Sequence, residues 1–104
     1  MVVRMWRCFT TPENARAFEA LVESDILPRL QRAKGFISGD ILRRDLLQEV
    51  EFVAISYYDS LDAVRAVTGE DFGQLLVPES ALSILIRFDK RASFYTVAIE
   101  LKRD

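Results

Sequence analysis

Two segments of this chain, residues 2–10 and 50–58, have the composition of β-strands that are apolar on both faces. Both are rich in β-branched and aromatic residues, and neither contains a glycine or a proline. Successive side chains of a strand point to opposite faces of its sheet, so a face left in water is normally polar. Neither segment has a polar face, and the fold must therefore cover both sides of this sheet.

The stretch after residue 10 predicts an amphipathic helix. Residues 11–13 combine a capping threonine, a proline suited to the first turn and an acidic residue. Pro28 should bend or end the regular helix around residues 25–27, because proline lacks a backbone N–H. Gly35 is suited to a C-terminal stop. The apolar residues recur at spacings of three and four, at Ala15, Phe18, Val22 and Ile26.

A hairpin and a second helix are predicted next. Residues 36–44 and 50–58 are separated by a short polar connection, which favours an antiparallel pair of strands. Ser60 is placed to cap a helix that ends at Gly69.

The last third of the chain is harder to interpret. Residues 70–83 have the weakest pattern, and we expect a short helical turn there that Pro78 ends. Residues 84–88 favour a short strand or extended segment, and residues 93–101 favour the final strand.

This order of elements predicts an α+β, ferredoxin-like βαββαβ fold in one domain spanning residues 1–104. Its four-stranded antiparallel sheet would carry both helices on one face. Each large apolar side chain left in water on the other face forgoes roughly 1.5–3 kcal/mol of burial, and such a patch is larger than monomers usually tolerate. We therefore expect a homodimer packed sheet against sheet. The uncovered residues would be Val3, Met5, Phe9, Val53, Ile55 and Tyr57, with either Tyr95, Val97 and Ile99 or their alternates.

Histidine is absent from the sequence, and this excludes several classes of site. Ser-His and Cys-His nucleophile systems cannot form, and the usual general base, zinc ligand and haem ligand are missing. The carboxylates show no clustered ligand spacing, so we expect no metal site. The net charge of -2 offers no field that attracts phosphate, so nucleic acid is not an expected partner.

Cys8 is the only cysteine, so no internal disulfide can form, and a reducing, cytoplasmic setting fits. We expect Cys8 to be a small buried apolar residue. Arginines interrupt residues 1–7 too often for the apolar core of a signal peptide, and no apolar run is long enough to cross a membrane. A membrane partner is therefore not expected.

Four stretches carry a family resemblance: residues 1–10 (MVVRMWRCFT), 26–36 (ILPRLQRAKGF), 42–45 (LRRD) with 50–64 (VEFVAISYYDSLDAV), and 88–97 (FDKRASFYTV). Together they resemble the antibiotic biosynthesis monooxygenase domain superfamily, whose members form dimeric α+β barrels. Many relatives have tryptophan where this chain has Tyr58. Haem-degrading members hold iron through a histidine that this chain lacks, and many others have His-Tyr where this chain has Phe94-Tyr95.

The resemblance implies a cofactor-free monooxygenase that acts on a small hydroxylated aromatic, such as an anthrone or a quinol. In that chemistry the deprotonated substrate itself passes an electron to oxygen, while the pocket excludes water and stabilises the anion. The residues implied as catalytic are Trp6, Tyr58 and Tyr95, and those implied in substrate binding are Arg43, Arg87, Phe52 and Ser56.

Alternatives stay open for these residues and for the function. Trp6 and the tyrosines are also typical of core packing, and strand arginines commonly pair with a carboxylate. Glu51 or Glu100 would be a base if buried with a raised pKa. A non-catalytic binder of small molecules, or a structural domain whose pocket is filled by its own side chains, would fit the same sequence.

Overall fold

The computed structural model describes residues 1–104, which form an antiparallel sheet with helices on one face. The strands are β1 (Val2–Thr10), β2 (Phe36–Asp45), β3 (Val50–Tyr58), β4 (Leu85–Phe88) and β5 (Ser93–Thr96). The helices are α1 (Ala15–Leu21), α2 (Leu27–Gln31), α3 (Leu61–Thr68) and α4 (Glu79–Leu82). No helix has the length and apolar character needed to span a membrane.

The sheet has the order β2-β3-β1, and β4 and β5 both pair with the free edge of β1. The segment predicted as strand or extended at residues 84–88 is the strand β4, and it lies at one end of β1 with β5 at the other, so the sheet has five strands instead of the predicted four. The break arises because the backbone between β4 and β5 finds other partners. The N–H of Ala92 donates to the carbonyl of Gly73 at 2.9 Å, outside the sheet.

The final strand is shorter than predicted. It ends at Thr96, which pairs with Val2, instead of continuing to residue 101. The N–H of Val97 still donates to the carbonyl of Met1 at 2.9 Å, and beyond this bond residues 98–101 have no neighbouring strand to pair with.

The first helical segment is interrupted before Pro28, as predicted, but it does not end there. A 3₁₀ turn (Pro12–Asn14) leads into α1, and a π-helical turn (Val22–Ile26) joins α1 to α2. Pro28 cannot donate to a carbonyl of the preceding turn, and the wider turn moves the hydrogen bonds by one residue, with the N–H of Leu27 on the carbonyl of Val22. The predicted threonine cap is confirmed, since Thr11 Oγ1 accepts from the N–H of Asn14 at 3.3 Å.

The second helix agrees with its predicted bounds. Ser60 Oγ accepts from the N–H of Ala63 at 3.2 Å, and Gly69 ends the helix with a φ of 77°.

The prediction of a helical turn before Pro78 is wrong, because the helix α4 instead follows this proline. Proline is well placed at a helix start, where its missing N–H has no intrahelical partner.

The core lies between the helices and one face of β1 and β3. Trp6, Cys8 and Phe52 pack against Phe18 of α1, while Tyr58 packs against Val64 of α3. The opposite face, here called the outer face, consists of Val3, Met5, Val53, Ile55, Tyr57 and Tyr95. None of these six is buried, and the strand register puts Tyr95 itself, not its alternates, on this face. Phe9, which was also predicted to be uncovered, is buried, with the guanidinium of Arg87 over its ring.

Candidate functional site

A cavity of about 240 Å³ opens between the helical segment α1–α2, the covered face of the sheet and the loop at residues 72–77. Fifteen of its 20 lining residues are hydrophobic, which suits a largely apolar ligand. The apolar helix residues in its wall are Phe18, Val22, Ile26, Leu27 and Leu30.

Small residues in the sheet create this space. Along β3, Ala54 and Ser56 lie between the bulky Phe52 and Tyr58 on the covered face. In β2, Gly39 pairs with Ser56 and adds no side chain. The helical segment cannot fill the hollow that these residues leave, so a cavity remains beneath it.

Trp6 forms part of the wall from the centre of β1. Its side chain is 5% exposed, and its indole N–H donates to the carbonyl of Asp89 at 2.7 Å. This hydrogen bond fixes the ring and leaves the N–H unavailable to a ligand. Trp6 can therefore contribute a flat apolar surface, but no hydrogen-bond donor, to a ligand.

Tyr58 and Ser56 form a polar pair next to Trp6. Their hydroxyl oxygens are 3.1 Å apart, and the Tyr58 ring packs edge-on against Phe36 at 5.8 Å between centroids. Tyr58 is fully buried, whereas Ser56 is only partly buried. Ser56 is thus the member of the pair that a ligand can reach, and the buried Tyr58 holds the Ser56 hydroxyl through the hydrogen bond between them.

Arg4 also lines the cavity, and the sequence analysis assigned it no role. Its side chain donates from Nε to the carbonyl of Phe72 at 3.2 Å and from Nη2 to the carbonyl of Gln74. Burial lowers the pKa of this guanidinium, and electrostatic interactions with Tyr58 and Asp71 oppose that shift. One signal was available in the sequence, because Arg4 lies in register with Val2, Trp6 and Cys8 on the apolar face of β1.

The other four predicted site residues lie outside the cavity. Tyr95 is 55% exposed on the outer face, and Phe52 is buried against Phe18 with ring centroids 4.9 Å apart. Arg43 is hydrogen-bonded to Asp45 and Glu19 at the exposed edge strand. Arg87 pairs with Glu49 and covers the ring of Phe9 at 3.8 Å. The structure brings together Trp6, Tyr58 and Ser56 only.

The candidate bases and the cysteine also lie away from the cavity. Glu51 is buried on the side of β3 that faces away from the helices, where it pairs with Arg44 and Arg7. Glu100 is exposed near Lys102. Cys8 is buried in the core, and burial, aided by the nearby charge of Asp89, raises the pKa of its thiol to about 12. It is therefore the inert apolar residue that was expected.

No protein-family model and no curated protein matches this sequence. Solved structures do match it over nearly its whole length. A monooxygenase from the gene ActVA-Orf6 of Streptomyces coelicolor, in complex with nanaomycin D, is 17% identical with a TM-score of 0.71, and the match covers 99% of this chain and 92% of that one.

Two further structures carry the same fold. SnoaB, a cofactor-independent oxygenase from Streptomyces nogalater, is 24% identical with a TM-score of 0.61 over 98% of each chain. A dimeric ferredoxin-like protein from an uncultured marine organism is 16% identical with a TM-score of 0.65, covering 99% of this chain and 91% of that one. The ferredoxin-like prediction is confirmed, and the resemblance to antibiotic biosynthesis monooxygenases is confirmed at the level of the fold.

Proposed function

We propose, from the fold that this chain shares with antibiotic biosynthesis monooxygenases, that it is a cofactor-independent monooxygenase. Its substrate would be a small hydroxylated aromatic of the anthrone or quinol type. The observation that carries the proposal is the apolar cavity of about 240 Å³ with a flat Trp6 wall and a reachable Ser56 hydroxyl. Such a cavity excludes water and holds a flat ring system beside a few polar groups.

The reaction requires few groups from the protein. In an anthrone, the ring methylene loses a proton, and the resulting anion passes one electron to molecular oxygen. Recombination forms a C–O bond, and cleavage of the O–O bond then leaves a carbonyl and one molecule of water. The protein's task is to orient the rings against Trp6 and to stabilise the anion.

The proposal includes a homodimer. The outer face is apolar and unburied in a single chain, and a second copy packed against it would remove this surface from water. The dimeric ferredoxin-like structure described above supports this arrangement. A cytoplasmic location, which one buried cysteine would suit, is part of the same proposal.

A second candidate is a carrier that binds the same aromatic ligand without turnover. The observation that favours it is that the candidate bases Glu51 and Glu100 both lie outside the cavity and that histidine is absent from the sequence. A carrier needs only the apolar walls of the cavity, whereas an enzyme also requires that the substrate lose a proton.

Trp6 is the only tryptophan, and its fluorescence reports directly on the cavity wall. Without oxygen, the protein is titrated with anthrones and naphthoquinols, with free tryptophan as the inner-filter control. We expect saturable quenching near one ligand per protomer. Oxygen is then admitted, and its consumption is followed with an electrode against the same substrate in buffer.

A matched pair of variants makes this test specific to the cavity. Ala54→Leu fills the space at the wall and should abolish both quenching and oxygen uptake, whereas Ala66→Leu adds the same volume at an exposed position of α3 and should change neither. Saturable quenching with oxygen uptake equal to buffer would favour the carrier. Absence of quenching across the panel would reject both candidates.

A further inference from the structure

Arg4 is a buried cation without a carboxylate in contact. Its residue exposure is 7%, and it takes part in none of the ion pairs of the chain. Removing a charge from water is costly unless an opposite charge or several hydrogen bonds compensate. Two backbone carbonyls compensate only in part, so a negative group near this guanidinium would be strongly favoured.

The guanidinium also keeps donors for such a group. Of its five N–H donors, the two hydrogen bonds use one on Nε and one on Nη2, and Nη1 makes none. Among the enclosed side-chain nitrogen and oxygen atoms, Thr10 Oγ1 alone has no hydrogen-bond partner. Since Nη1 of Arg4 also has no partner, this nitrogen is not fully enclosed and is in contact with accessible space. Arg4 is buried in the fold and is one of the residues that line the cavity.

The neighbouring charged groups do not provide the missing anion. Asp71 acts on Arg4 from a distance but is hydrogen-bonded to Arg91, and the Tyr58 hydroxyl is paired with Ser56. Glu23 and Asp40 both belong to the cavity lining, but both are exposed to solvent and neither forms an ion pair with Arg4.

We propose that Arg4 binds an anionic oxygen of the ligand, so that the cavity selects aromatic molecules that carry one such oxygen. A charge-assisted hydrogen bond in a water-poor site is stronger and more selective than one in water. The inference rests on the proposed function for the location of the ligand, and it deepens that function. A phenol or enol would give its proton to water as it enters the cavity, Arg4 would stabilise the bound anion, and the chain would need no protein base for that step.

The test uses a matched pair of ligands, 2-naphthoate and 2-naphthamide, which differ in charge but hardly in shape. Affinities are measured by Trp6 quenching and by calorimetry. The wild-type protein should bind the carboxylate at least about tenfold more tightly than the amide. In Arg4→Met this ratio should fall to about one, and Arg4→Lys should retain part of it.

Arg29→Met is the control. Arg29 is exposed and also donates to a carbonyl of the loop, that of Leu76 at 3.2 Å, so it shares the loop-holding contact of Arg4 without facing the cavity. Its ratio of affinities should equal that of the wild type. If Arg4 merely holds the loop, Arg4→Met would weaken both ligands alike and leave the ratio unchanged, which would overturn the inference.

Two further results separate this inference from the proposed function. A wild-type protein that binds both naphthalenes equally would overturn the role of Arg4 even if Arg4→Met does not fold, and oxygen uptake with an anthrone would still support the enzyme. A clear preference for the carboxylate, with no oxygen uptake on any substrate, would support the role of Arg4 and reject the enzyme in favour of the carrier.

Discussion

At the scale of single residues, two glycines show how the cost of an unfavourable backbone conformation and the cost of overpacking add together. Gly35 and Gly69 both have positive φ angles, 92° and 77°, which residues with a side chain rarely adopt. A Cβ on Gly35 would lie 2.5 Å from Ala63 Cβ and 2.7 Å from Asp59 Oδ1, whereas one on Gly69 would meet nothing within 4 Å. Gly35 thus allows the close approach of the turn before β2 to α3.

We expect Gly35→Ala to lower the free energy of unfolding by roughly 1–3 kcal/mol more than Gly69→Ala, because only the first substitution also overpacks its surroundings. Urea denaturation followed by circular dichroism measures both variants. Equal losses would mean that the turn moves away from α3 at little cost, contrary to the packing described above.

At the scale of elements, local signals decided the first three strands and the two capped helix starts, but not the end of the last strand. The caps at Thr11 and Ser60 form as predicted, because a cap is a contact between residues three apart. The end of β5 and the break between β4 and β5 depend on the partners offered by β1 and by the loop at Gly73. Those partners lie far away in sequence, so residues 93–101 alone suggested a longer strand.

Ser60→Ala should lower the free energy of unfolding by about 1 kcal/mol, because the first turn of α3 loses the acceptor for the N–H of Ala63. Ser60→Asp, which restores an acceptor, should recover most of that loss. Ser80→Ala at an exposed position of α4 is the reference substitution. Thermal and urea unfolding of the three variants provide the measurement, and a loss of similar size in Ser80→Ala would argue against the cap.

At the scale of the whole molecule, the two faces of the sheet differ in what covers them. Helices cover the face of Trp6 and Tyr58, while the outer face holds Val3 between Tyr57 and Tyr95 in the strand register. An apolar surface of this kind is the one that a second copy would bury under the proposed dimer.

We expect the wild-type protein to sediment as a dimer at micromolar concentrations. Ile55→Lys places a charge at the centre of the outer face and should shift the population to monomers. Leu61→Lys, at a partly exposed position of α3 on the helical side, should leave the dimer intact. Sedimentation equilibrium tests all three chains. A monomeric wild type, or a dimer that tolerates Ile55→Lys, would contradict the proposed interface.

The sequence by itself determined the α+β class, the helix caps at Thr11 and Ser60 and the two apolar faces, because these follow from periodicity and from contacts between near neighbours. The family resemblance singled out Trp6, Tyr58 and Ser56 among other residues, and the alternation of β1 and β3 places these three on one face. Arg43 and Arg87 were equally plausible by residue type, and only their partners in the fold, Glu19 and Glu49, set them apart.

The tertiary structure alone decided the make-up of the cavity. Arg4 bonds to the carbonyl of Phe72, 68 residues away, and the loop at residues 72–77 has no pattern that predicts its place against β1. The same holds for the indole N–H of Trp6, which the carbonyl of Asp89 occupies. Contacts of this range depend on how the whole chain packs, and a pattern read along the sequence reports only on nearby residues and on which face each one occupies.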